Sequence, residues 1–242
     1  MTTFRVVKIS FAFIVFCVFA YNRIKKEKQK RLEEKFKREF DFYSIYDGNQ
    51  TELIYAPQYD SEWLEALDKK YSWENFDSYD NRFWEYMYRL FDTLTEMSGK
   101  DESEEEFFNK LNKPQKVFHS LLAFTGDVDN GGVNQFFFNK PEFAFSVLEA
   151  FDELKLNKLK NDYEKCLNEF IGASDSYLKR KEVFNDISIN WDQRWDAFKS
   201  GENEIKSADI LEDYFYTDEF KKELYKTFVD YADKNISLFM WK

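Results

Sequence analysis

The residues best placed to do chemistry lie in one segment, Gly126-Asp127-Val128-Asp129-Asn130-Gly131-Gly132-Val133-Asn134-Gln135-Phe136-Phe137-Phe138-Asn139. Asp127 and Asp129 stand two apart, two adjacent glycines follow, and Gln135 and Asn139 are four apart. Three chemistries use parts of this pattern. A calcium loop needs oxygen ligands at its first, third and fifth places, glycine at the sixth and a bidentate glutamate at the twelfth. Asp127, Asp129 and Gly132 fit, Gly131 offers only a carbonyl, and Phe138 takes the twelfth place, so the ligand set is incomplete. A phosphate cradle needs a strand before the glycines and a lysine close after them, whereas a helix is expected before them and Lys140 comes late. General acid and base work by Asp127 and Asp129 has no specific signal, because the chain carries 46 carboxylates and a pair two apart is commonplace.

A structural role fits better. Asn130 and Gly131 tolerate a positive φ and are expected to end one helix in a left-handed turn, while Gly132 allows backbones to approach closely. The amides of Gln135 and Asn139 are expected to bond to carbonyls that the turn exposes. Phe136, Phe137 and Phe138 bury the next helix on several sides.

The elements around this corner read as helices. Trp84, Met87, Phe91 and Leu94 form an apolar stripe within 81–97, with a helix end near Gly99. Asp101, Glu102, Glu104, Glu105 and Glu106 fall at a helix start, where carboxylates suit the positive end of the macrodipole, and they form a candidate acidic surface. Pro114 suits the first residue of the next helix, which Val117, Phe118, Leu121, Leu122 and Phe124 make apolar on two sides. Helical stripes follow from Pro141 to Leu154, over 157–170, over 182–199 with Trp191 and Trp195 on one side, and from Phe220 to Tyr231. Residues 41–59 read as a connector, with short strands admitted only at 52–55 or 183–189. The fold class is therefore all-α: a helical domain over 42–242, preceded by an N-terminal transmembrane or signal-anchor helix.

Composition supports this and excludes several function classes. Aromatic residues make up 20% of the 242 residues, with 28 phenylalanines, enough to bury a core, whereas 7 glycines and 3 prolines are too few for a turn-rich β-fold. One histidine, His119, and two cysteines, Cys17 and Cys166, exclude most zinc sites and any disulfide framework. His119 is expected as a satisfied core or boundary histidine and Cys166 as a packed thiol. No catalytic group, metal or cofactor is called for.

The N-terminus differs from the rest. Residues 9–21 are an apolar run broken only by Ser10, short of the roughly 20 residues of a membrane span, but Arg5 and Lys8 can snorkel and lengthen it. Arg23, Lys25, Lys26, Lys28, Lys30 and Arg31 follow, against Glu27 alone. By the positive-inside rule this flank favours a retained anchor over 1–22, a basic juxtamembrane helix over 23–41 and a body in the cytoplasm; the alternative is export after signal cleavage. Residues 1–31 hold eight basic side chains and one acid, which leaves 27 basic and 45 acidic residues, a net of −18, in the remainder. That charge repels nucleic-acid phosphates and favours a basic protein partner.

The segment 127–139 resembles the signature of the bacterial DNA-mimic protein family, which runs acid, x, x, Asn-Gly-Gly, x, x, Gln, aromatic, x, x, Asn. Asp127, Asn130, Gly131, Gly132, Gln135, Phe136 and Asn139 carry it, and residues 80–238 resemble the family domain in the order of their helices. The sequence departs from the family in Val133, where an aromatic is usual, and in Asp127, where glutamate is usual. The resemblance implies an all-helical fold and an acidic surface that imitates DNA phosphates to occupy a DNA-binding protein. The expected function is thus a non-enzymatic acidic interaction protein, with an immunity or inhibitor protein against a toxin or nuclease as the first alternative and a carboxylate-dependent enzyme as the second. A homodimer is left open.

Overall fold

The computed structural model describes residues 3–39, 42–47, 61–95, 102–201, 204–235 and 238; the side chains of 3–17, 38–39, 61, 76 and 90–95 lie outside the description. Among the described residues there are eleven α-helices and no strand: α1 (Thr3–Glu39), α2 (Ser61–Lys70), α3 (Phe76–Thr95), α4 (Glu104–Lys110), α5 (Lys113–Asn139), α6 (Ala144–Glu153), α7 (Asn157–Gly172), α8 (Ser174–Asn185), α9 (Trp191–Lys199), α10 (Ser207–Phe215) and α11 (Asp218–Lys234). A 3₁₀ turn at Pro141–Phe143 joins α5 to α6.

The helix starts follow local chemistry. Ser103 caps α4 through a capping box with Glu106, Asn112 caps α5 through a box with Gln115, and Thr217 caps α11. Each satisfies amides that a helix start leaves without a partner. Because Asn112 is the cap, α5 begins at Lys113, and Pro114 stands one place inside it rather than first as expected. The stripe over 182–199 is two helices rather than one, because Asp186 ends α8 in an extended conformation and Asn190 caps α9 afresh. The strand admitted at 183–189 is the end of α8 and this turn; the one at 52–55 lies outside the described residues.

The core forms around α5. Phe124 is fully buried and meets Phe136, Phe151, Tyr163 and Phe215 edge to face, with centroids 5.2 to 5.8 Å apart, the arrangement ring quadrupoles favour. The three consecutive phenylalanines do serve three directions. Phe136 faces Phe124, Phe137 stacks on Phe170 at 4.5 Å, and Phe138 meets Phe198 at 4.8 Å. On α3 Tyr79, Phe83, Tyr86 and Met87 are buried; Trp84, of the expected apolar stripe, is half-buried and packs against the core, and the side chains of Phe91 and Leu94 lie outside the description.

Among the described residues no helix is long and apolar enough to cross a membrane. The side chains of residues 1–17, on which the anchor over 1–22 was expected to rest, lie outside the description, and the expected span has no support from the structure. The basic stretch continues the same helix, and its end docks on the body. Phe36 is fully buried between Phe42 and Phe170, Gln29 Nε2 donates to Asn168 Oδ1 at 2.7 Å, and Lys37 lies 4.0 Å from the centre of the Phe145 ring. Since truncating a buried ring typically costs about 3–5 kcal/mol, Phe36→Ala is expected to lower stability by about 3 kcal/mol in denaturant unfolding and to speed amide exchange over 22–39.

Candidate functional site

The segment singled out by sequence is a kink within α5. Helical geometry is lost at Gly131 (φ −168°, ψ 27°) and Gly132 (φ +83°, ψ 177°) and resumes at Val133. The positive φ therefore falls on Gly132, not on Asn130 or Gly131 as the sequence suggested. Gly132 also permits a close approach, since a Cβ there would lie 2.7 Å from Glu212 Oε1. That same oxygen accepts the backbone N–H of Val133 at 2.7 Å. Glu212, from α10, thus caps the restarted half of α5 with a carboxylate, the charge sign a helix start prefers.

The acids of the segment diverge. Asp127 Oδ1 accepts from Asn139 Nδ2 at 2.8 Å and from Gln135 Nε2 at 3.4 Å, bracing the two halves of α5 across the kink. The amides of Gln135 and Asn139 therefore bind a carboxylate rather than the turn carbonyls expected for them, because the freed N–H of Val133 is met by Glu212 and Asp127 lies one turn before the kink. Asp129 instead faces α11, where Lys221 Nζ donates at 2.7 Å and Tyr225 Oη at 3.3 Å. Tyr216 Oη donates to the Val128 carbonyl at 2.6 Å. Asp127 and Asp129 thus serve different elements and do not act as a pair. Among the described residues no group of three or more histidine, cysteine or acidic side chains is placed to hold a metal.

Asp80 of α3 joins the Asp129 cluster. Its carboxyl sits above the usual carboxylate range, chiefly through burial; Lys221 opposes this and the Asp129 charge adds to it. Burial, and then Asp129, push the Tyr225 phenol well above its usual value. Sequence reasoning missed Asp80, Glu212, Lys221 and Tyr225, since nothing in local spacing ties α3, α10 and α11 to the kink.

The acidic run behaves differently from a free surface. Asp101 lies outside the described residues. The Glu102 side chain is only 7% exposed and pairs with Lys110. Glu104 pairs with Lys140 at 3.1 Å and faces His119 Nε2 at 3.8 Å, while Glu106 closes the Ser103 capping box. Glu105 is exposed. His119, as expected, is buried at a boundary, between the rings of Phe107, Phe108 and Phe143. Cys166 is buried, which pushes its thiol up to about 12 and keeps it from acting as a nucleophile. Cys17 lies outside the described side chains.

A cleft of about 480 Å³ opens between α3, α4 and α5 beside the kink. Trp84 and Tyr88, one turn apart with centroids 5.6 Å from each other, contribute two of its rings. Leu122, Ala123 and Gly126 also line it, with Glu104, His119 and Lys140 on one side and Asp129 and Asn130 on another. The i, i+4 spacing of Trp84 and Tyr88 was the available sequence signal.

Two consequences are measurable. Gly132→Ala puts a Cβ where φ is +83° and Glu212 is too close, so it is expected to cost about 2–3 kcal/mol in denaturant unfolding. Gly131→Ala, whose added carbon meets only the flexible end of Gln135, is expected to cost less. The His119 imidazole and then Lys140 hold the Glu104 carboxyl down at about 2, against the opposing effect of burial. A carboxyl lowered on folding stabilises above its unfolded value, near 4.3, and this contribution is lost as pH falls towards 2. Glu104→Gln is therefore expected to flatten the loss of stability between about pH 5 and 2, read as denaturation midpoints against pH.

A family model described as DMP19-like protein matches residues 109–235. Nothing among curated proteins or solved structures matches the chain. The matched stretch covers more than half of the chain, from the end of α4 to the end of α11, and includes the whole kink with its Glu212, Lys221 and Tyr225 partners. The chain therefore belongs to the DMP19-like proteins, a DNA-mimic family.

Proposed function

We propose that this protein is a non-enzymatic DNA mimic that binds a basic DNA-binding protein through carboxylates on its helical domain. The observation that carries the reading is where the charge excess lies. Asp209 and Asp213 on α10, and Glu219, Glu223 and Asp230 on α11, are exposed, and among the described residues none of them stands in an ion pair. Asp209 and Asp213, and likewise Glu219 and Glu223, are one helical turn apart, roughly 6 Å along the axis, so they form rows of fixed negative charge. Phosphate contacts dominate the affinity of DNA-binding proteins, and a row of carboxylates offers a basic groove binder the same kind of charge. The run at 102–106 contributes less, since Glu102, Glu104 and Glu106 are committed within the fold. The commitment of Asp127 and Asp129 to Asn139, Gln135, Lys221 and Tyr225 supports a structural role for both rather than general acid or base work.

A basic DNA-binding protein immobilised at low salt is expected to retain the full chain and to release it on a salt gradient or on addition of its DNA duplex. Neutralising the rows together (Asp209→Asn, Asp213→Asn, Glu219→Gln, Glu223→Gln and Asp230→Asn) is expected to weaken binding by about ten- to a hundredfold at low salt and to reduce the slope of log K against log salt. Retention that ignores salt, or that survives the five substitutions unchanged, would overturn the reading.

A further inference from the structure

We propose that the cleft beside the kink receives one arginine side chain of the basic partner, a claim that rests on the DNA-mimic reading and assigns it a point of specific contact.

The shape is right for a stem with a flat cationic head. Trp84 and Tyr88 offer ring faces, and Leu122 and Ala123 offer apolar surface for methylenes. Gly126 leaves room, because a Cβ built there would meet nothing within 4 Å. The fold already uses the chemistry the cleft would need. The Arg82 guanidinium lies 4.8 Å from the centre of the Trp73 ring and that of Arg89 4.7 Å from Trp63, within the range of cation–π attraction.

The charge is polarised along the cleft. At the α4 side, Glu104 is balanced by Lys140. At the other side Asp129 pairs with Lys221 at 2.7 Å; the half-buried Asp80, which accepts from Trp84 and Tyr225, faces the same ammonium, so the two carboxylates and one ammonium together carry one net negative charge behind the cleft wall. The Asn130 side chain supplies a carbonyl next to it. A guanidinium seated against Asp129 and Asn130, its stem along Leu122 and Ala123 and its face on Trp84 or Tyr88, satisfies that excess. A neutral side chain of the same shape fills the walls and leaves the charge uncompensated. Arginine fits better than lysine because its planar fork stacks and bonds at once. The exposed rows on α10 and α11 attract a basic surface without regard to which cation arrives; the cleft would select one residue of it.

The test follows the indole N–H resonance of Trp84 in the full chain titrated with Nα-acetyl-arginine N-methylamide. A saturable shift is expected, with an affinity on the order of millimolar for so small a probe. The citrulline analogue, neutral and of the same shape, should leave the resonance in place. Gly126→Leu fills the cleft from a helical position with open space, so it should abolish the shift at an unchanged or higher melting temperature. Tyr88→Ala, at an exposed ring, should weaken binding about three- to tenfold. An unmoved Trp84 resonance, or equal responses to arginine and citrulline, overturns the proposal. If the Gly126→Leu chain still holds a basic DNA-binding protein as tightly as the unaltered chain, the cleft is overturned and the DNA-mimic reading stands. If the arginine analogue saturates while no basic protein is retained, the cleft is supported and the DNA-mimic reading fails.

Discussion

The bond from Val133 N–H to Glu212 is the constraint from which the rest of the site follows. Breaking a helix frees backbone groups that must find partners when buried. Gly131 and Gly132 break α5 at the centre of the molecule, and Val133 is fully buried just beyond them. Glu212 supplies the missing acceptor from α10, 79 residues further along the chain. It can reach only because Gly132 has no side chain. The local break is thus affordable only in the complete fold. The same event fixes α10 against α5 and sets the directions in which Phe136, Phe137 and Phe138 enter the core.

Much of this was legible in the sequence. The all-helical class, the burial of Phe136, Phe137 and Phe138 and the burial of His119 all follow from composition and 3.6-residue periodicity. The misses share one cause. Which glycine takes the positive φ, and which acceptor Gln135 and Asn139 find, depend on Glu212 and Asp127 in three dimensions, and no local rule specifies them. Periodicity likewise ran 182–199 together as one helix, because aromatic spacing continues through the turn where Asp186 and Asn190 end and restart the chain. On α3 the stripe through Trp84 and Met87 packs against the core, but it leaves out Phe83 and Tyr86, the fully buried rings; in a segment this rich in aromatics more than one face is apolar.

Net charge is a poor guide to which acids are free. The run over 101–106 is the densest in the sequence, yet most of its described members are paired within the fold: Glu102 with Lys110, Glu104 with Lys140 beside His119, and Glu106 with the helix start at Ser103. Closely spaced carboxylates repel one another, and the separate partners of Glu102, Glu104 and Glu106 relieve that repulsion. The exposed acids Asp209 and Asp213 of α10, and Glu219 and Glu223 of α11, lie a turn apart on the side opposite buried Leu211, Phe215, Leu224 and Phe228. Amphipathic spacing, rather than local abundance, decides where charge is presented.

The kink connects this presentation to the cleft. Asp127 and Asp129 are two apart on a helix and point about 200° around it from each other. Asp127 can then brace the downstream half of α5 while Asp129 reaches α11. The pair Asp129–Lys221 holds α11, and with it the row of Glu219 and Glu223, in register with the half of α5 that lines the cleft. Lys221 of α11 is drawn inward to Asp129. Its neutralisation by Asp129 and Asp80 keeps it from cancelling the charge of Glu219 and Glu223 on the outer face. The segment thus keeps Asp127 and Asp129 bonded within the fold, while Asp209, Asp213, Glu219, Glu223 and Asp230 stay exposed on α10 and α11.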